Sequence, residues 1–302
     1  MTQTPRWTEQ QFEAEALKAT ALFRDERMGE DLVTYSTHFL EARRWVEDLL
    51  EISVDPSELR EHAQELLTDP GTLTAARYLA GPPISKDDLE TVAQVTVSAH
   101  ALAHNSGTPE TVVETLLAGI DRNRFIWLSE DRPPTEAERN AATLATAAMI
   151  AASLRATGRR NEGKTAQEQK VKDALIARGF TQVATRNIQR LGQAPRPGEF
   201  CGESMFGEKK ADIVVGLWDN RVMPLECKVS NSSTNSVKRI GEASNKAVLW
   251  VRDLGQTQVV PGAMIAGVFK AKNLLAAQTK DLTIWWSHDL DTLANWIDST
   301  RP

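Results

Sequence analysis

Asp212, Glu226 and Lys228 are the residues whose types and spacing suggest chemistry. They fall in one stretch, Lys209 to Ser230, which reads KKADIVVGLWDNRVMPLECKVS. Hydrolysis of a phosphodiester needs a hard cation to polarise the phosphate and lower the pKa of an attacking water. Magnesium takes oxygen ligands, commonly one or two carboxylates, and leaves its other positions to water and phosphate. Asp212, Glu226 and the main-chain carbonyl of Cys227 could supply such a partial shell for Mg2+, and Mn2+ could substitute. Lys228 could orient the water and offset developing negative charge. A Glu-x-Lys alone is too common to carry this reading, and the plain alternative is a surface hairpin with an exposed Glu and Lys.

The elements around these residues sharpen the choice. Ile213, Val214 and Val215 run into the turn pair Asp219-Asn220, and an extended pattern resumes from Val222 to Val229. Period-two alternation puts Met223, Leu225, Cys227 and Val229 on one face, and Pro224, Glu226 and Lys228 on the other. For Asp212 to share a cation with Glu226, the turn needs a three-residue loop at 219–221 or a bulge, pairing Asp212 with Lys228.

Upstream, a helix is expected from Thr165 to Arg178. Val171 and Leu175 form its apolar stripe, and Glu168 falls on the same inward side, where an acid calls for a partner. Thr181 to Asn187 reads as a strand, followed by a Gly/Pro-rich connection from Leu191 to Lys209. Ser230 to Ser236 is a polar run opening a helix that reaches about Leu254. Asn235, Ser236, Lys238 and Arg239 lie near its start, where a phosphate could meet free N–H groups. Val259 to Phe269 reads as a buried central strand. A short helix at 272–278, a strand at 282–286 and a helix at 289–297 complete the pattern.

Residues 1–154 look all-helical, with periodic segments near 8–28, 30–51, 56–68, 85–104, 108–122 and 135–157. Asp55-Pro56, Asp69-Pro70-Gly71 and Gly81-Pro82-Pro83 punctuate them. Two domains are therefore expected, 1–154 and 155–302. Net charge is −6, but it is divided unevenly. The first part holds 13 Lys+Arg against 26 Asp+Glu, and the second 22 against 15. The basic part is the one carrying Asp212, Glu226 and Lys228, which favours an anionic ligand. Arg159, Arg160, Lys164, Lys209 and Lys210 join the helix-start residues as expected contacts to a DNA backbone.

Other classes fare less well. Gly158 to Thr165 matches the G-x-x-x-x-G-K-[ST] phosphate-loop pattern. The Ala-rich stretch before it favours helix over the strand that such a loop requires, so a nucleotide hydrolase is the weaker reading. His100 and His104 sit one helical turn apart but lack a third ligand. Two cysteines make no disulfide framework and fit a reducing, cytoplasmic setting. The longest charge-free apolar segment, Asn140 to Leu154, is too short to span a membrane.

An Asp before a hairpin, a Glu-x-Lys on the second strand and an order of helix, three strands, helix and strand resemble the PD-(D/E)xK nucleases over residues 165–286. Ala211 stands where the family name would place Pro. With the helical first half and the RRNEGK-x-x-QE segment, the chain is also similar to the XamI-type restriction endonucleases. The resemblance implies an α/β (α+β) restriction-endonuclease-like core, a mixed sheet flanked by helices, after an all-helical region. It implies Mg2+-dependent, sequence-specific cleavage of double-stranded DNA, with Glu168 turned towards the metal. A structure-specific repair or recombination nuclease is the alternative within the same chemistry. Two-fold symmetric DNA sites favour a homodimer.

Overall fold

The computed structural model describes residues 2–29, 32–52, 56–105 and 107–302, without the side chains at 52, 56–58, 160 and 161. The Asp55-Pro56 break and the Arg160 side chain lie outside the described residues. The chain forms two compact units, one made of Met1–Glu30 with Arg159–Pro302 and one of Asp31–Gly158. The expected division at 154/155 thus lies four residues from the later boundary, and the first thirty residues join the second part of the chain.

The inner unit is helical. It carries α2 (Leu32–Ile52), α3 (Pro56–Glu61), α4 (Ala63–Thr68), α5 (Pro70–Arg77), α6 (Lys86–Ala93), α7 (Ala99–His104) and α8 (Thr108–Ala118). Val46, Leu66, Leu89, Leu102, Val112, Phe125, Trp127 and Ile150 fill its core. Side chains cap its helices, and α5 begins at a Pro-Gly pair read from the sequence only as a break: the Asp69 carboxylate accepts the N–H groups of Gly71 and Thr72, each at 2.9 Å. Thr135 and Glu138 cap the start of α9 reciprocally, through Thr135 N–H to Glu138 at 2.8 Å and Glu138 N–H to Thr135 Oγ1 at 3.2 Å.

The helix α9 (Glu136–Ala177) is 42 residues long and runs without interruption through Gly158 and Gly163. This corrects the expected break near residue 157. It also removes the phosphate-loop reading, since helical backbone spends its N–H groups on intrahelical bonds rather than on a phosphate.

The other unit holds α1 (Glu9–Met28), the C-terminal part of α9, and then β1 (Thr181–Gln182), β2 (Asn187–Ile188), β3 (Glu199–Cys201), β4 (Ser204–Phe206), β5 (Lys209–Ala211), β6 (Ile213–Gly216) and β7 (Val222–Ser230). After them come α10 (Ser233–Leu254), β8 (Gly262–Gly267), α11 (Ala271–Gln278), β9 (Thr283–Trp286) and α12 (Leu290–Asp298). The single strand expected at 181–187 is two short ones, and the expected loop at 191–209 contains β3, β4 and the start of β5. Short strands of two or three residues are too brief to show alternation.

A six-stranded sheet has the order β1-β3-β6-β7-β8-β9, and β2-β4-β5 form a second small sheet. Strands β6 and β7 are antiparallel, whereas β7, β8 and β9 are parallel. Alternate side chains split between two cores, as the pleat demands. Val171, Leu175, Val215, Leu225, Met264 and Trp285 pack on one side. Phe12, Ala16, Ala243, Ala263, Ile265 and Trp286 pack on the other. Where β7 and β8 end, a Cβ on Gly267 would stand 2.1 Å from the Ser230 carbonyl oxygen, and its φ is +87°. Only glycine suits that close approach.

Candidate active site

The hairpin β6–β7 positions the motif. Its register pairs Ile213 with Leu225, Val215 with Met223 and Gly216 with Val222. The Leu217 N–H meets the Arg221 carbonyl at 2.8 Å, so the loop is Trp218, Asp219 and Asn220. Asn220 takes φ +67°, a left-handed value that Asn tolerates. A three-residue loop is therefore present, one position earlier than expected, and Asp212 is not paired with Lys228.

Asp212 instead lies at a break between β5 and β6. Its N–H donates to the Leu225 carbonyl at 3.0 Å, and its Oδ2 accepts the Cys227 N–H at 2.8 Å. The side chain thus replaces a main-chain acceptor where β5 leaves the large sheet for the small one. The Cys227 N–H thereby ties the Asp212 carboxylate to the backbone of β7.

Glu226 is fully buried on β7. Lys228 Nζ approaches its Oε2 at 2.6 Å, a close ion contact poorly aligned for a hydrogen bond. Lys246, on α10, donates to Oε1 at 2.6 Å and to the Lys210 carbonyl at 2.9 Å. Asp212, 5% exposed, addresses α9. Lys164 Nζ lies 3.0 Å from Asp212 Oδ1, 3.4 Å from Glu168 Oε1 and 3.8 Å from Glu203 Oε2. Lys172 adds a contact to Glu168 at 3.8 Å. The stripe that predicted an inward Glu168 is confirmed by the buried Val171 and Leu175 beside it.

The electrostatics follow from this crowding. Burial, then the Asp212 charge, raises the Glu168 carboxyl above its ordinary value. Burial, followed by the charges of Asp212, Glu168 and Glu226, pushes the Cys227 thiol well up. Burial alone would lower the Lys164 ammonium, but Asp212 and Glu168 outweigh it and the net shift is upward.

The fit to a divalent cation rests on this donor set. Asp212, Glu168 and Glu226 offer carboxylate oxygens alone, the hard donors that magnesium takes. The Lys164 ammonium already stands as a cation against Asp212 and Glu168. Among the described residues no three His, Cys, Asp or Glu side chains converge as a metal-holding group. The expected ligands Asp212 and Glu226 are each engaged by lysines. Two carboxylates with water and phosphate still meet magnesium's ordinary requirement.

The expected DNA contacts divide. Lys209, Lys210, Asn235, Lys238 and Arg239 are exposed, though Lys210 pairs with Glu203 at 2.7 Å and Arg239 approaches Glu242 at 3.9 Å. Arg159 is half-buried on α9. Ser236 is a correction: it is fully buried, and its hydroxyl donates to the Ser233 carbonyl at 2.7 Å. Lys164 is half-exposed and stands among the carboxylates of Asp212, Glu168 and Glu203. The residues missed were Glu203 and Lys246. Glu203 sits in the tight β3–β4 connection and has no local signal. Lys246 lies beside the α10 stripe of Ala243, Ala247 and Trp250, and a charge at that margin was the available clue.

A solved structure, protein VC1899 from Vibrio cholerae, covers 90% of this chain and 58% of its own at 12% identity, but its TM-score of 0.27 is too low to support a shared fold. The type II restriction enzyme XamI of Xanthomonas campestris pv. amaranthicola is 42% identical over 269 residues, covering 85% of this chain and 95% of that protein. The family model for XamI restriction endonuclease matches residues 57–286, a span that contains every acid and lysine described above. The chain therefore belongs to the XamI restriction endonuclease family.

Proposed function

We propose that the chain is a magnesium-dependent type II restriction endonuclease with a PD-(D/E)xK core, cleaving double-stranded DNA at a specific sequence. It acts as a homodimer in the cytoplasm. Membership of the XamI family supports the activity class. The single observation that carries the chemistry is the fully buried Glu226 on β7, held between Lys228 and Lys246, with Asp212 at the neighbouring strand break. A buried carboxylate with two ammonium groups is costly to maintain and is not needed to close a sheet.

Asp212 and Glu226 would hold the cation, with Glu168 beside Asp212. Held there, magnesium would supply the polarisation of the scissile phosphate and the acidification of a water. Lys228 and Lys246 hold donors towards the same carboxylate and offset negative charge as it grows on the phosphate. The Asp212 carboxylate is fixed by the Cys227 N–H, which ties its orientation to the backbone of β7. The exposed Lys209, Lys238 and Arg239 give sequence-independent attraction to the DNA backbone.

Digestion of a fully sequenced plasmid with magnesium, followed by mapping of the ends, tests the reading. Discrete ends at a recurring sequence are expected. Smeared fragments would replace it with a nuclease that recognises structure, and absence of magnesium-dependent ends would overturn it.

A further inference from the structure

Lys164 joins three separate parts of the chain. It projects from α9, it meets Asp212 at the β5–β6 break, and it approaches Glu203 in the β3–β4 connection. Glu168 stands four residues on along the same helix, within 3.4 Å of the same ammonium. Asp212 is 7% and Glu168 15% exposed by side chain, whereas Lys164 is 48% exposed. Two sheltered carboxylates are thus covered by one cation that keeps a path to solvent. Without it, like charges would face each other across a poorly hydrated gap.

We propose that Lys164 is a displaceable counter-ion of the metal site: it holds Asp212 and Glu168 together in the metal-free enzyme, and the incoming cation takes its place. This rests on the reading of Asp212 as a metal ligand. A magnesium ion binds carboxylate oxygen at roughly 2.0–2.1 Å. An ammonium retained on the same oxygens would lie close enough to repel the ion strongly. The two cations therefore exclude one another. The long, flexible lysine stem lets the ammonium leave without moving α9. Its exposed side then makes the released charge available to a phosphate, so metal entry would convert an internal ion pair into a DNA contact. Lys164 acts here as a positioning residue, since its effect passes through Asp212 and Glu168.

Calorimetric titration of the DNA-free full chain with manganese chloride tests this, using wild type, Lys164→Gln and Lys164→Arg, with melting curves recorded alongside. Lys164→Gln removes the competing charge and is expected to bind manganese about tenfold more tightly than wild type. Lys164→Arg keeps a charge that grips carboxylates in a fork, and is expected to bind no more tightly than wild type. Metal-induced stabilisation should follow the same order. Equal or weaker binding by a folded Lys164→Gln, or tighter binding by Lys164→Arg, overturns the proposal. The Arg variant keeps the test decisive if the Gln variant does not fold. Asp212→Asn separates the two claims. If it loses manganese binding and cleavage while Lys164→Gln titrates as wild type, Lys164's role alone falls. If it retains both, the site reading falls and the Lys164 proposal with it.

Discussion

Lys246 Nζ lies 2.6 Å from Glu226 Oε1, while Lys228 Nζ lies 2.6 Å from Oε2 of the same fully buried carboxylate. One acid thus has an ammonium on each oxygen, one from its own strand and one from α10. Lys246 also donates to the Lys210 carbonyl at 2.9 Å. Lys246→Met should slow single-turnover cleavage by about 10–10² while leaving metal-free DNA affinity unchanged. Lys246→Arg should restore part of the rate. A normal rate in Lys246→Met, with a lowered melting temperature alone, would reduce the residue to a structural ion pair.

Substitution of the motif itself should separate chemistry from binding. Asp212→Asn, Glu226→Gln and Lys228→Ala should each lower the cleavage rate by about 10²–10³. Glu168→Gln should be milder. DNA binding without metal should persist in all four, and the acid variants should bind slightly better as repulsion of phosphate falls. Single-turnover cleavage beside a metal-free binding assay checks this. Near-normal cleavage by Asp212→Asn would place the active site elsewhere.

The start of α10 should contribute charge, not hydroxyl contacts. Lys238→Ala and Arg239→Ala should each flatten the dependence of log affinity on log salt by about 0.9. Ser236→Ala should leave that slope as it is, because the hydroxyl is turned back onto Ser233. Affinities measured over a salt series decide between these outcomes.

Acid should loosen the start of α9. Hydrogen bonds from Arg132, then from Thr135, hold the Glu138 carboxyl down to about 2. A carboxyl lowered on folding contributes stability that is complete above its unfolded value of 4.5. That contribution is lost as pH falls from there towards about 2. The melting temperature of Glu138→Gln should therefore be lower than wild type at pH 7, and the gap should close as pH drops through that window. A gap that is constant with pH would mean that the charge contributes nothing.

Much of the site was readable because it is local. The period-two pattern of β7 put Glu226 and Lys228 together, and the polar run at 230–236 marked the start of α10, where the Ser232 hydroxyl accepts the Asn235 N–H at 3.2 Å. The loop register failed by one position because Asn220 fits a left-handed turn in more than one frame. Two of the three carboxylate contacts to Lys164 were not legible. Glu203 reaches that ammonium from the β3–β4 connection, and Asp212 from a break in the ladder, so neither contact obeys a periodicity. The glycine-lysine pattern at 158–165 misled in the opposite way: its letters suit a loop, but α9 continues through it. A pattern of residue types cannot override forty residues of favourable helix around it.

The placement of α1 governs the order in which the protein can be made. Phe12, Ala16 and Ala19 complete a core with Ile240, Ala247, Ile265 and Trp286, and the Trp7 indole donates to the Ile284 carbonyl at 2.8 Å. A ribosome therefore delivers the first helix long before the strands that receive it, with the whole helical unit synthesised in between. The sheet bearing Glu226 cannot close this layer until β9 has emerged. A chain lacking either α1 or β9 would thus carry the acids and lysines of β7 without the packing that covers one face of their sheet.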